Sequence, residues 1–170
     1  FMIGSDFSRS EDVRVAVLGA GALGSMYGAL LALGGCRVSL VGRANAHAAA
    51  INEKGLILER VGDERPPQTV KNIRVATQLR ELAEKPDLLI LLVKSYNTAE
   101  ALAGCAADIP PDCLVLTLQN GLGNLEAMAE YVSKARLLAG VCYIGASLPG
   151  PGRVLYTGPA PTLLGSPETV

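Results

Sequence analysis

The 170-residue sequence has few of the side chains that metal sites and nucleophile sites commonly use. It contains one histidine, His47, within an alanine-rich stretch, and its four cysteines include no C-x-x-C pair. A Cys/His zinc site or any other metal site is therefore not expected, and a Ser-His-Asp or Cys-His catalytic system has little to build on. We expect His47 to lie on a helix surface and the cysteines to be reduced, buried thiols.

The sequence also lacks an excess of charge of either sign. Fifteen Lys and Arg residues stand against sixteen Asp and Glu residues, which gives a formal net charge of -1 at pH 7. This balance supplies no basic field for nucleic acid or for an anionic membrane surface, so a small-molecule partner is expected. The chain is too apolar for a disordered protein, with 49% hydrophobic residues. With no secretory hydrophobic region, we expect a cytoplasmic protein.

The two ends of the chain differ from its middle. Residues 1–10 show no periodicity, and we interpret them as a leader or a cloning remnant that precedes one domain over residues 11–170. Near the other end, five prolines separate short apolar pieces, and no terminating element follows. We therefore expect a domain boundary near the last residue.

One uncharged stretch, between Arg14 and Arg37, is long enough to suggest a transmembrane helix. It contains six glycines, and its first part is short and β-branched, which favours a strand, a glycine turn and a helix. Its G-x-x-x-G spacing, from Gly24 to Gly28, suits membrane helices but also lets a helix pack closely on a sheet. The membrane interpretation is the weaker alternative.

Strands and helices alternate along the chain. Periodicity predicts strands over 13–18, 37–41, 88–93, 114–117 and 137–143. It predicts helices over 22–33, 44–53, 98–107 and 124–132, the last capped by Asn124. Residues 56–59 and 69–74 are expected to form a small strand pair. This alternation is typical of a Rossmann-type α/β fold, a doubly wound, mostly parallel sheet with helices on both faces.

A G-x-G-x-x-G motif joins the first predicted strand to the first predicted helix. It consists of Gly19, Ala20, Gly21, Ala22, Leu23 and Gly24. In this context the glycines allow a tight turn, close backbone approach to a pyrophosphate, and close helix packing. The motif predicts dinucleotide binding, while a glycine-rich turn without a ligand is the alternative.

The end of the second predicted strand bears on cofactor choice. NAD-binding domains usually present a carboxylate there, whereas this chain has Val41, Gly42 and Arg43. Since no carboxylate would repel a 2′-phosphate and a guanidinium can clamp one, NADP is favoured over NAD. The alternative is that Arg43 is a solvated loop residue.

Two further candidates follow predicted strands. Lys94 comes after the most apolar strand, and Asn120 after the next one, so both are expected at the carboxyl edge of the sheet. Lys94 could equally mark where its strand reaches water. The Asn120-Gly121 pair is expected in a strand-to-helix loop rather than a hairpin. Tyr96 and Tyr143 are expected to be packing residues.

These segments together resemble a known family. In order, they are residues 19–24, residues 41–43, residues 92–96 (LVKSY) and residues 118–123 (LQNGLG). Over about residues 13–165 the chain is similar to the N-terminal half of ketopantoate reductase (2-dehydropantoate 2-reductase). The resemblance implies a first domain that binds NADPH and hydride transfer to 2-dehydropantoate, which gives pantoate for pantothenate and coenzyme A synthesis.

The resemblance also implies roles by position. Residues 19–24 would hold the pyrophosphate and Arg43 the 2′-phosphate, while Ala146 would make a backbone contact to the cofactor. Lys94 and Asn120 would line the cleft beside the nicotinamide and substrate, as cofactor-binding and catalytic residues. Gln119 departs from the histidine that the family often has there.

The family's second, helical domain is expected to lie beyond this chain. That domain supplies the general acid, a lysine, and completes the substrate cleft, so this chain alone is expected to be inactive. The full-length protein could be a homodimer. Two alternatives stay open, namely reduction of another small 2-oxo acid and a non-catalytic NAD(P)-sensing module.

Overall fold

A computed structural model describes residues 12–167 of the chain. Eleven strands lie in the described part: β1 (Arg14–Leu18), β2 (Arg37–Val41), β3 (Leu56–Arg60), β4 (Gln68–Val70), β5 (Arg74–Ala76), β6 (Leu88–Leu91), β7 (Leu114–Thr117), β8 (Leu137–Cys142), β9 (Ala146–Gly150), β10 (Arg153–Tyr156) and β11 (Thr162–Gly165). Four α-helices accompany them: α1 (Ala22–Leu33), α2 (Ala46–Lys54), α3 (Thr98–Ala103) and α4 (Asn124–Ala129). The predicted leader, residues 1–10, lies outside the described residues.

The main sheet has seven strands in the order β11-β8-β7-β6-β1-β2-β5. The strands from β8 to β5 all pair in parallel, and β11 adds an antiparallel edge. In sequence order, the main sheet begins with β1 in its middle and extends outward through β2 to β5. The chain then crosses back to β6, on the other side of β1. This reversal makes a topological switch point between β1 and β6, where doubly wound folds bind their ligands. The predicted Rossmann-type fold is confirmed.

The sheet is covered on both faces. One apolar cluster lies on the α1 side and includes Met26, Leu40 and Ile90, while a second includes Leu89, Leu91 and Met128. Neighbouring residues of β6 contribute to opposite clusters because successive side chains of a strand point to opposite faces. The continuous apolar run of β6 is thus explained by burial on both sides.

A second sheet lies over α1. It has the order β4-β3-β10-β9, with β10 parallel to β3 and the other pairs antiparallel. Helix α1 packs between the two sheets, so it needs small residues. A Cβ at Gly28 would come within 2.6 Å of the Leu40 Cδ2 atom. The G-x-x-x-G spacing therefore serves packing on a sheet, and among residues 12–167 no helix is long and apolar enough to cross a membrane.

Several local predictions were wrong. The predicted strand pair exists as β3 with β4, but its second strand ends at Val70 rather than at 74, and β5 instead joins the edge of the main sheet beside β2. Asn124 does not cap α4: Gly123 precedes the helix at a φ of 87°, and the Asn124 amide donates to the Asn120 and Gly121 carbonyls. The third helix ends at Ala103 rather than 107. The proline-rich part contains β9 to β11, which periodicity did not indicate.

Side-chain burial corrects other expectations. Tyr96 and Tyr143 are 82% and 66% exposed, so they are not packing residues. All four cysteines are free, but only two are fully buried: Cys105 and Cys113. Burial raises the pKa of each of these two thiols to about 11, which keeps them protonated and unreactive. Cys36 and Cys142 are partly exposed.

Candidate functional site

The glycine loop, residues 19–24, follows β1 and contacts the carboxyl ends of the neighbouring strands β2 and β6. Gly19 has a φ of 116°, and its N–H donates to the Val41 carbonyl at 2.8 Å. A Cβ at Gly19 would lie 2.6 Å from the Leu92 carbonyl carbon, and one at Gly24 would lie 1.9 Å from the Gly19 oxygen. Neither position has room for a side chain. The loop therefore needs glycine at both positions to turn from β1 into α1.

Gly21, in contrast, faces open space. A Cβ there would meet no atom within 4 Å, although Gly21 immediately precedes α1. In the described part of the chain no side chain caps this helix, and its first turn holds no acidic residue. The N-terminal N–H groups of α1 are thus available to an anion beside an open backbone surface. These features fit a dinucleotide pyrophosphate lying over Gly21.

Arg43 lies next to this loop. It follows the end of β2, and a Cβ at Gly42 would come within 2.8 Å of the Ala20 Cβ, so the two turns are in contact. The Arg43 side chain is exposed, and within residues 12–167 no carboxylate lies within 4.0 Å of its guanidinium. An unpaired guanidinium beside the glycine loop can bind a further phosphate.

Lys94 and Asn120 follow the next two strands of the sheet. β6 and β7 are parallel neighbours, so their carboxyl ends meet at the edge that also carries the glycine loop. Lys94 precedes a short 3-10 turn over Ser95–Asn97, Asn120 follows β7, and both are exposed. The structure therefore brings the glycine loop, Arg43, Lys94 and Asn120 to one edge of the main sheet, as predicted.

Ala146 lies elsewhere in the fold. It is the first residue of β9, pairs with Tyr156 of β10, and is half-buried in the smaller sheet. Its position follows the loop after β8, whose carboxyl end lies at the same edge as those of β6 and β7. A backbone contact between Ala146 and the cofactor stays a prediction.

His47 corrects the sequence-based expectation of a surface residue. It is 8% exposed, and its Nδ1 accepts from the Gly152 N–H at 3.0 Å. The proton therefore sits on Nε2, which donates to the Ser25 hydroxyl oxygen at 2.9 Å in the buried face of α1. Burial lowers the pKa of His47, partly offset by the Gly150 backbone. The i, i+1, i+4 spacing of His47, Ala48 and Ile51 on one helix face could have indicated this burial.

A cavity of about 280 Å³ lies at the opposite edge of the sheet. Its lining includes Arg14 and Arg37, the first residues of β1 and β2. Both arginines are paired with carboxylates, those of Asp87 and Glu84. The cavity is therefore remote from the glycine loop and offers no free cation. No cluster of metal-binding side chains occurs within residues 12–167.

Sequence comparison places the same segments in a known family. The model of the ketopantoate reductase PanE/ApbA family matches residues 15–169. The chain belongs to this family. A 2-dehydropantoate 2-reductase of Pyrococcus abyssi is 40% identical over 153 residues, which are 90% of this chain and 47% of that protein. The Halobacterium salinarum 2-dehydropantoate 2-reductase is 38% identical, over 90% of this chain and 49% of that protein.

Solved structures of PanE/ApbA members share the fold. A PanE/ApbA family ketopantoate reductase from Ralstonia eutropha superposes with a TM-score of 0.80 at 31% identity, covering 89% of this chain and 49% of that one. A D-mandelate dehydrogenase with NADH and anilino(oxo)acetate gives a TM-score of 0.79 at 29% identity, covering 89% and 48%. This PanE/ApbA chain thus spans about half the length of the relatives it matches, which are enzymes that act on small molecules.

Proposed function

We propose that this chain forms the NADPH-binding half of a 2-dehydropantoate 2-reductase. The observation that carries the proposal is the open surface over Gly21 at the uncapped start of α1, beside Arg43, which has no carboxylate partner among residues 12–167. The names of the relatives, which are 38% to 40% identical over nine-tenths of the chain, support this substrate. The complete activity belongs to a polypeptide of about the relatives' length.

The residues at the carboxyl edge of the main sheet have different roles in the proposed reaction. The N–H groups of α1 bind the pyrophosphate, and Arg43 binds the 2′-phosphate that distinguishes NADPH from NADH. Bound NADPH supplies the hydride for the keto carbon of the substrate. Lys94 and Asn120 act as catalytic residues: their ammonium and amide groups donate hydrogen bonds towards the substrate oxygen, where negative charge develops during the reduction.

Arg43 gives the sharpest test of the cofactor. The test is isothermal titration calorimetry of the chain with NADPH and with NADH. The chain has no tryptophan, so protein-to-nicotinamide fluorescence would give only a weak binding signal. We expect tighter binding of NADPH, and a loss of about tenfold or more for Arg43→Ala because a charge-assisted contact to the 2′-phosphate disappears. Binding of NADH should not change.

The matched control is Arg74→Ala, which removes an exposed arginine at the first residue of β5, at the opposite edge of the main sheet. It should bind NADPH like the wild type. Equal affinity of wild-type protein for both cofactors, or an unchanged NADPH affinity in Arg43→Ala, would contradict the assignment of NADPH.

A second candidate is reduction of a different 2-oxo acid. The similarity to a D-mandelate dehydrogenase bound to anilino(oxo)acetate, at 29% identity, favours it. The two candidates share the cofactor half and differ in the side chains that contact the substrate. Values of kcat/KM for 2-dehydropantoate and for an aromatic 2-oxo acid, measured on the protein of full relative length, separate them.

A further inference from the structure

The Gln119 side chain connects the ends of β6 and β7. Its Nε2 donates to the Val93 carbonyl at 2.7 Å and to the Thr98 hydroxyl at 2.9 Å. Its Oε1 accepts from the Thr117 hydroxyl at 3.0 Å, and its backbone N–H donates to that hydroxyl at 3.2 Å. One amide side chain thus joins two strand ends and the start of α3.

The Gln119 hydrogen bonds connect β6 and β7 beyond the last backbone pair of the two strands. The last ladder pair of β6 and β7 is Leu91 with Thr117. Two residues further along each strand come Val93 and Gln119, where the backbones no longer pair. Here the Gln119 Nε2 atom donates to the Val93 carbonyl, so a side-chain hydrogen bond replaces the backbone hydrogen bonds of the ladder.

The contacts use the chemistry of an amide in particular. Both Nε2 hydrogens and the Oε1 oxygen have partners, and the two threonines are buried, Thr98 at 2% and Thr117 at 3% exposure. Glutamate has the same shape but cannot donate to the Val93 carbonyl. The carboxylate would still accept from the Thr117 hydroxyl and could accept from the Thr98 hydroxyl, so the change leaves the Val93 carbonyl without its donor and facing a negative charge.

The connected segments carry the proposed site. Lys94 directly follows Val93, and Asn120 directly follows Gln119. The peptide between Leu92 and Val93 also touches the glycine loop, because a Cβ at Gly19 would lie within 2.8 Å of its atoms. The amide therefore lies where the backbones that bear Lys94, Asn120 and the glycine loop meet.

We propose that Gln119 is a positioning residue of the cofactor site: its amide fixes the backbones from which Lys94 and Asn120 project. The proposal rests on the proposed function, since it is that function which assigns Lys94 and Asn120 to the site. Gln119 itself touches neither cofactor nor substrate in this role. It acts through Val93, Thr98 and Thr117.

Two measurements on the 170-residue chain test the proposal. Hydrogen exchange of peptides covering 92–98 and 117–123, without ligand, reports how firmly the segments are held. Titration with NADPH reports the consequence for binding. For Gln119→Glu we expect exchange about tenfold faster in both segments and NADPH binding about tenfold weaker, which corresponds to the loss of a buried hydrogen bond.

Two further variants sharpen the comparison. Gln119→His keeps one ring N–H that can reach the Val93 carbonyl, so it should recover most of the affinity lost in Gln119→Glu. Gln68→Glu makes the same chemical change at an exposed position of β4 and should match the wild type in both measurements.

The outcomes distinguish this proposal from the proposed function. Wild-type exchange rates and wild-type NADPH affinity in Gln119→Glu would overturn the positioning role. So would a lowered Tm with local exchange and affinity unchanged, because that pattern shows a purely structural residue. Failure of the wild-type chain to bind NADPH would contradict the proposed function, while the exchange comparison still decides whether Gln119 fixes the two segments.

Discussion

Gly21 and Gly24 belong to one motif, but their surroundings differ completely. A Cβ at Gly24 would lie 1.9 Å from the Gly19 oxygen, whereas a Cβ at Gly21 would meet nothing within 4 Å. Gly21 also has φ -86° and ψ -163°, a conformation open to other residues. The fold therefore requires glycine at position 24. At position 21 the fold does not require glycine, but a ligand that approaches the open backbone surface would.

Alanine substitutions separate these two requirements. Gly24→Ala should lower the free energy of unfolding by about 3 kcal/mol or more, since the new methyl group meets backbone that cannot move aside. Gly21→Ala should unfold like the wild type but bind NADPH about tenfold more weakly, because the methyl group occupies the space proposed for the pyrophosphate. Denaturant unfolding and isothermal titration measure the two effects.

The opposite pattern would contradict this interpretation. If Gly21→Ala bound NADPH as tightly as the wild type, the open surface over Gly21 would not be the pyrophosphate site. If Gly24→Ala unfolded like the wild type, the close contact with the Gly19 carbonyl would not limit the fold.

Residue identity predicted some positions and not others. The positions of the glycine motif and of Arg43 at the sheet edge could be predicted because they follow from the adjacent strand and helix. The contacts of Gln119 could not, since its partner Val93 lies 26 positions away and is reached only when β6 and β7 pair. Asn124 was misassigned for a related reason: a residue type that favours caps instead donates to loop carbonyls.

At the scale of elements, His47 connects α2 to helix α1 and to the turn between β9 and β10 by hydrogen bonds. It bonds Ser25 of α1 on one side and the N–H of Gly152, in the turn between β9 and β10, on the other. The bond from Gly152 requires an unprotonated Nδ1, so protonation of the ring would break it, whereas the Nε2–H can donate to Ser25 in either state. The junction that holds the start of α1 is therefore sensitive to pH.

The sign of the pH effect follows from the lowered pKa of His47. In the unfolded chain the group titrates near the ordinary value of 6.5, and in the folded chain burial moves the pKa below it. The unfolded state thus binds more protons in this window, and stability present above about pH 6.5 is lost as the pH falls towards the folded pKa. We expect the free energy of unfolding to fall between pH 8 and pH 5.5.

His47→Gln provides the control for this prediction. Since His47 is the chain's only histidine, the variant should lose the decline between pH 8 and pH 5.5, whatever its stability at pH 8. Denaturant unfolding at both pH values measures it. An equal decline in the variant and the wild type would show that His47 does not cause the effect.

The elements were predicted unevenly. The five parallel strands with apolar patterns, β1, β2, β6, β7 and β8, were found to within two residues. Burial on both faces gives the central strands β1 and β6 the clearest signal. Short strands such as β5 and β9 carry few buried residues. Their sheet membership depends on partners far away in sequence, so local patterns cannot assign it.

For the whole molecule, the proposed ligand would contact several strand ends at once. The glycine loop, Arg43, Lys94 and Asn120 follow β1, β2, β6 and β7, which are adjacent strands of one sheet. A cofactor bound across them stabilises the folded state, because the unfolded chain cannot assemble this edge.

Thermal unfolding tests this linkage. NADPH at about a hundred times its Kd should add about 2.7 kcal/mol of stability, or roughly 5 to 10 °C in Tm for a domain of this size. NADH at the same concentration should produce a smaller shift, and Arg43→Ala should reduce the NADPH shift. Equal shifts with both cofactors would argue against recognition of the 2′-phosphate.

The sequence by itself determined the alternation of strands and helices, the glycine turn and the residues that follow the strands, because these depend on neighbours within a few positions. The tertiary structure alone decided the second sheet over α1, the hydrogen-bond partners of His47 and the link from Gln119 to Val93. His47 and Gly152 are 105 positions apart. Contacts over such separations exist only after the sheets have formed, and no local pattern encodes them.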